Sequence, residues 1–224
     1  MFGVSMSPLA TTIALAIVTT AMLAVTVVPA CWWLASRRSP GMRWVETVWM
    51  LPLVLPPTVL GFYFLMLWSP THWAGRWWAI AFGGTPLFTF AGIVMVSFVA
   101  NWPLAAMPIL SGFRSIDAEM IEAMYCMGNN RRQTFWKLAL PSSADAIIAG
   151  LSLAFAHACG QFGAILMVGG NIAGRTRTLS IEVYDRAQSL DMAAAHRSAI
   201  CLILFAGLSL LISTRFRSMG GRSV

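Results

Sequence analysis

An all-α, polytopic transmembrane helical bundle of about five spanning helices is the fold class this sequence predicts, and two observations predict it. The 224 residues are 58% hydrophobic and 10% charged, with a mean hydropathy of +0.73, whereas a soluble domain of this size carries about 25% charged residues. The charges also leave five clear runs, 1–36, 47–71, 77–113, 146–174 and 198–214, and a spanning helix needs roughly 17 to 25 apolar residues.

The expected spans are 9–35, 48–68, 87–110, 145–168 and 196–214. The first has no basic residue before it and Arg37, Arg38 and Arg43 behind it. That order reverses a cleavable signal peptide and predicts a retained anchor. The second holds Pro52, Pro56 and Pro57, followed by Thr58. Each proline lacks an amide donor, frees a carbonyl one turn earlier and bends the helix, so this span is either a kinked packing helix or a wall of a wet pathway. The third carries Asn101-Trp102-Pro103 and the fourth the stretch from His157 through Gln161, Phe162 and Gly163. Polar groups at membrane depth face partners or a cavity. His157 and Gln161, four residues apart, are expected on one helical face, either as packing groups or as pathway groups. The fifth span is only just long enough.

Basic residues fix the expected orientation, since Lys and Arg accumulate in cytoplasmic loops. Alternate loops place Arg37, Arg38, Arg43, Arg114, Arg131, Arg132, Lys137, Arg215, Arg217 and Arg222 on one side, against Arg76, Arg175, Arg177, Arg186 and Arg197 on the other. The N-terminus is therefore expected outside and the C-terminus in the cytoplasm. This asymmetry accounts for the net charge of +7 without nucleic acid. Cys31, Cys126, Cys159 and Cys201 form no CxxC pair, and His72, His157 and His196 show no ligand spacing, so neither a disulfide framework nor a metal is expected. The outer Arg175, Arg177 and Arg186, loosened by Gly169, Gly170 and Gly174, form either a solvated face or an attraction for anions or an acidic partner.

The segment 114–141 breaks the apolar pattern with Arg114, Asp117, Glu119, Glu122, Arg131, Arg132 and Lys137. Charges of this kind cost about 2.5 to 3.5 kcal/mol each at mid-bilayer, which assigns the segment to the cytoplasm. Ile116, Met120, Met124 and Met127 recur at helical spacing, and Gly128-Asn129 supplies a stop. A second helix is expected from about Asn130, capped through Gln133 and carrying Phe135, Trp136, Leu138 and Leu140 until Pro141 interrupts it. From pattern alone, this helix–turn–helix either lies on lipid headgroups or docks a partner protein.

Its spacing resembles the EAA loop of bacterial ABC-importer permeases: Glu122-Ala123, three residues, a variable position, Gly128, nine residues, then Leu138-x-Leu140-Pro141. Met124 stands where that pattern has its second alanine, and Leu138 where it has isoleucine. The stretches LPLVLPPTVLGFYFL (51–65) and GQFGAILMVGGNIAGRTRTLSIEVYD (160–185) are similar to the corresponding segments of molybdate ABC-transporter permeases, with sulfate, thiosulfate and tungstate permeases as relatives. The likeness runs from the second span to the end. One departure is Gln161, where molybdate permeases commonly have an acid before Phe-Gly-Ala.

The resemblance implies a single permease domain over 1–224, with 114–141 as its coupling loop, in the bacterial inner membrane. It implies a partnership with a second copy of the chain, two cytoplasmic ATPase subunits that hold ATP and magnesium, and a periplasmic molybdate-binding protein. Glu122, Ala123, Met124, Met127, Gly128, Leu138, Leu140 and Pro141 are then the coupling residues. Pro56, Pro57, Thr58, Asn101, His157, Gln161, Phe162 and Gly163 are the candidate pathway, and Arg175 and Arg177 the external loop. No ATPase site is expected in this chain, which has no GxxxxGK[ST] and a single lysine, Lys137. An intramembrane enzyme using Ser152 and His157 is a rival, weakened by their five-residue separation. A second rival is a docking scaffold that moves no solute.

Overall fold

The computed structural model of the chain describes residues 7–37 and 41–220. Arg38 and Arg222 of the charge count lie outside these residues. The helix α1, Pro8–Ala35, starts cleanly because Ser7 Oγ accepts from the Ala10 amide and Pro8 occupies the first turn, where no amide partner is needed. It packs along α5, Phe90–Arg114, and α9, Ala144–Gly160, to form the centre of the bundle. Leu23, Val27, Cys31 and Leu34 of α1 meet Ala105, Ala106, Ile109 and Phe113 of α5 and Ala154 of α9, all buried. The small residues on α5 and α9 let the backbones approach, as membrane helices require where lipid is as apolar as the side chains.

The remaining elements surround this centre. The second expected span is not one bent helix but two helices, α2 Met42–Val54 and α3 Pro57–Leu67, meeting at 106°. Two consecutive prolines explain the break: each drives the residue before it out of the helical region, and Leu55 and Pro56 have ψ of 135° and 136°. Between the second and third expected spans a short helix, α4 Trp73–Phe82, follows and ends at left-handed Gly83.

Beyond α5, the charged segment folds as α6 Ala118–Cys126 and α7 Arg131–Thr134, then a π-helical turn Phe135–Ala139 and α8 Leu140–Ser142. Pro141 does not interrupt this helix. The widened turn restarts the α-helix at Leu140, so Pro141 sits in a first turn, where its missing amide is harmless. The stretch Arg131–Ser142 meets α9 at 73°, and Arg131, Arg132 and Lys137 keep it out of hydrocarbon.

The fourth span also divides. After α9 the backbone is extended at Gln161, with ψ of 132°, and resumes as α10 Gly163–Gly169. α11 Leu179–Gln188 and α12 Met192–Gly220 complete the chain, with α12 lying on α9 and α11. α1 and α5 are each long and apolar enough to cross a membrane alone. The bundle has two distinct ends. At one, Arg37, Arg43 and Arg114 surround a cavity of about 650 Å³ with Glu46; at the other, the Leu179 amide donates to Thr12 Oγ1.

Candidate functional site

The charged loop is built from local caps. Asp117 Oδ1 accepts from the Glu119 amide at 3.1 Å and starts α6. At its end the Asn129 amide donates to Met124 O (3.1 Å) and the Gly128 amide to Tyr125 O (2.9 Å), a Schellman closure that places Gly128 at φ +79°. Asn130 and Gln133 then exchange side chain-to-amide bonds of 2.9 and 2.8 Å, the expected capping box. Lys137 Nζ reaches back to Asn129 Oδ1 at 3.0 Å, closing the two helices on each other.

These caps present the loop residues outward. Glu122, Ala123, Gly128 and Pro141 are exposed, Met124 and Leu138 are half-buried, and Met127 is 69% exposed. Met120 and Met127 thus leave the apolar face that their spacing implied, while Ile116, Ile121 and Leu140 pack onto the bundle. Glu122 and Tyr125 border a groove of about 420 Å³ whose floor includes Trp32 and Phe113. Two side chains anchor the loop end of the bundle, Phe135, which the helix pattern already named, and Glu46, which the sequence did not single out. Phe135 packs against the Trp32–Phe113 pair, with ring centroids 6.1 and 6.3 Å away. Glu46 pairs with both terminal nitrogens of Arg114, tying α2 to the end of α5. The available signal was that Glu46 is the first acidic residue in the chain and borders an apolar run.

The second site is a cavity of about 470 Å³ where the two broken spans face each other. Pro57, Thr58, His157, Gln161, Phe162 and Gly163 all line it, as do Pro52, Leu53, Leu55, Leu60 and Ala100. Pro56 is exposed beside the cavity and does not line it. Asn101, fully buried near the middle of α5, stands behind the lining. His157 and Gln161 do not share a helical face, because Gln161 has left the helix; Asn101 joins them instead. Asn101 Oδ1 lies 2.9 Å from His157 Nδ1, and Asn101 Nδ2 reaches Ser97 O (2.7 Å) and Gln161 Oε1 (3.3 Å). Ser180 Oγ donates to Gln161 O at 2.7 Å, which holds the break from the α11 side.

α3 and α10 pack with little space between them. A Cβ on Gly61 would stand 2.8 Å from Met167 Cβ and 3.2 Å from the Ala164 backbone. In the loop after α10, Arg177 Nε donates to Asn171 Oδ1 at 2.7 Å and its guanidinium lies 3.6 Å from Asp185. Arg177 is thereby a structural member of its loop, while Arg175 is exposed.

A helical bundle with two interrupted spans around a cavity, and a capped, outward-facing loop at one end, defines a membrane transport component. Residues 27–218 match the family described as "Binding-protein-dependent transport system inner membrane component", and the chain belongs to that family. It is accordingly an inner-membrane permease subunit of an ABC importer, a class whose ATPase is a separate subunit. The chain is 37% identical over 210 residues to the molybdenum transport system permease protein of Azotobacter vinelandii, covering 92% of this chain and 93% of that one. It is 33% identical over 195 residues to a sulfate transport system permease protein of Escherichia coli K12, covering 86% of this chain and 69% of that one. Among solved structures, the inward-facing methionine ABC transporter superposes with a TM-score of 0.71 at 15% identity, over 94% of this chain and 93% of that one. A bacterial alginate ABC transporter, in complex with its alginate-bound periplasmic protein, superposes with a TM-score of 0.75 at 14% identity, over 92% and 75%. These two likenesses concern the fold.

Proposed function

We propose that this chain is the permease of an ATP-driven molybdate importer. The observation that carries the reading is the 37% identity across more than nine-tenths of both chains with a permease named for molybdenum transport. The cavity suits the cargo: its walls are mostly apolar, its polar groups are Thr58, His157 and Gln161, and no carboxylate is among its described lining residues. A divalent tetrahedral oxyanion entering it meets hydrogen-bond donors and no opposing negative charge. The sulfate permease relative favours sulfate as a second reading, on a shorter share of that protein.

In this reading the unit is a single permease domain with 114–141 as its coupling loop. Two copies line one pathway, and α6 of each seats in a groove on a cytoplasmic ATPase that binds ATP and magnesium. A periplasmic protein delivers the anion near Arg175. The N-terminus is then periplasmic and the C-terminus cytoplasmic. ATP-driven approach of the two α6 helices rearranges the spans by alternating access. Uptake of labelled molybdate tests the substrate, in a bacterial strain lacking its own molybdate permease and supplied with this chain and its cognate ATPase and binding protein. The expected result is saturable uptake that tungstate inhibits and excess sulfate does not. Sulfate uptake in preference to molybdate would transfer the assignment to the second reading.

A further inference from the structure

One carbonyl fixes the polarity of the hydrogen-bond network behind the cavity. Ser97 O has only lone pairs, so the Asn101 atom 2.7 Å from it is the amide nitrogen. Asn101 Oδ1 is then the atom 2.9 Å from His157 Nδ1. That oxygen carries no proton, so His157 Nδ1 must donate. The same Asn101 nitrogen faces Gln161 Oε1 at 3.3 Å, which makes this oxygen the acceptor and leaves Gln161 Nε2 as a donor. Gln161 Nε2 meets no protein acceptor among the described residues, and both His157 and Gln161 line the cavity.

With Nδ1–H committed to Asn101, the free ring nitrogen of His157 is Nε2. In the neutral imidazole it offers a lone pair, which repels an oxyanion. In the imidazolium it offers an N–H and a positive charge. His157 is the one ionisable group among the described lining residues. On the elements packed around it, α9 itself carries Asp145 and Cys159, α1 Cys31, α5 Arg114, α2 Arg43 and Glu46, and α3 Tyr63. α11 carries Glu182, Tyr184, Asp185 and Arg186, and α12 His196, Arg197 and Cys201 in its described side chains. None of these lines the cavity, so none neutralises an anion held there.

We propose that His157 Nε2 and Gln161 Nε2 form an oxyanion subsite that is complete only when His157 is protonated, so that a divalent oxyanion and a proton occupy the cavity together. The proton comes from bulk water, a hydronium O–H breaking as the Nε2–H forms, and the oxyanion itself is chemically unchanged. The anion stabilises the imidazolium by direct charge pairing, and Asn101 is a positioning residue that sets which nitrogen faces the cargo. The proposal rests on the reading of this chain as an oxyanion permease.

Nitrogen-15 NMR of the assembled importer in lipid nanodiscs, with labelled histidine in this chain only, tests both parts. The signal of His157 is assigned by its loss in His157→Gln. The expected neutral form is the Nδ1–H tautomer. Adding molybdate, tungstate or sulfate should raise the protonation midpoint of His157 by about one pH unit, a tenfold change in proton affinity. Gln161→Leu should shrink that rise without changing the tautomer. A neutral Nε2–H tautomer, or a midpoint indifferent to all three anions, would overturn the proposal even where cellular molybdate uptake stands. A rise with sulfate and none with molybdate would support the subsite and overturn the molybdate reading.

Discussion

At the scale of single residues, the charged loop turns on Gly128. Its φ of +79° lies in the left-handed region, and a Cβ there would find nothing within 4 Å, so a substitution meets backbone strain and no steric clash. That strain is about 1–2 kcal/mol for an ordinary L-residue, less for asparagine and more for a β-branched one. Gly128→Asn should retain the ATPase in co-purification, and Gly128→Val should release most of it while the permease stays in the membrane. Equal recovery from both variants would remove the turn from the docking argument. Phe135→Ala should destabilise the loop by about 1–3 kcal/mol, less than for a fully buried phenylalanine because Phe135 is half-buried, through the contacts it loses with Trp32 and Phe113. Trp136→Ala, at a side chain 59% exposed, should change the melting temperature little. The caps at Asn130 and Gly128 were legible because they are local in sequence. The Asn101–His157 bond was not, because its partners are 56 residues apart and meet only once α5 and α9 have packed.

Among elements, α1 and α5 were legible because an uninterrupted apolar run both lengthens a helix and buries it. The same runs concealed the breaks in the second and fourth spans, since hydropathy records cost in lipid and says nothing of ψ. Consecutive prolines announced a bend at 56–57, but its size, 106°, depends on how α3 lies against α10. At Gln161 the signal was weaker still: the glycines at 160 and 163 permit an extended residue, and Asn101 and Ser180 hold it there. Gly61→Leu tests the contact between the two half-helices. Its side chain meets Met167 and the Ala164 backbone, where overpacking costs about 1–3 kcal/mol or more, so folded yield and thermal midpoint should fall well below those of Gly61→Ala. A midpoint for Gly61→Leu equal to that of the unsubstituted chain would mean that α3 and α10 separate freely.

At the scale of the whole molecule, the basic residues Arg37, Arg43, Arg114, Arg131 and Arg132 gather at one end with α6. That grouping predicts that a membrane-impermeant thiol reagent labels a cysteine placed at Ser189 in intact spheroplasts, and one placed at Asn130 only after lysis, with the native cysteines replaced. The reverse pattern would invert the orientation. The two breaks have a mechanical consequence as well. α3 and α10 are locked to each other and joined to longer helices by two short non-helical links, Leu55–Pro56 and Gln161–Phe162. A block carried on two links swings most readily about the line joining them, and here it must also release its seat on α5, where Leu60, Val96, Ala164 and Val168 share one buried cluster. Spin labels on α3 and α10 should therefore hold a constant separation through the ATP cycle while both distances to α5 change together. The pair would then behave as a single trapdoor, its axle set by the two links where the spans break.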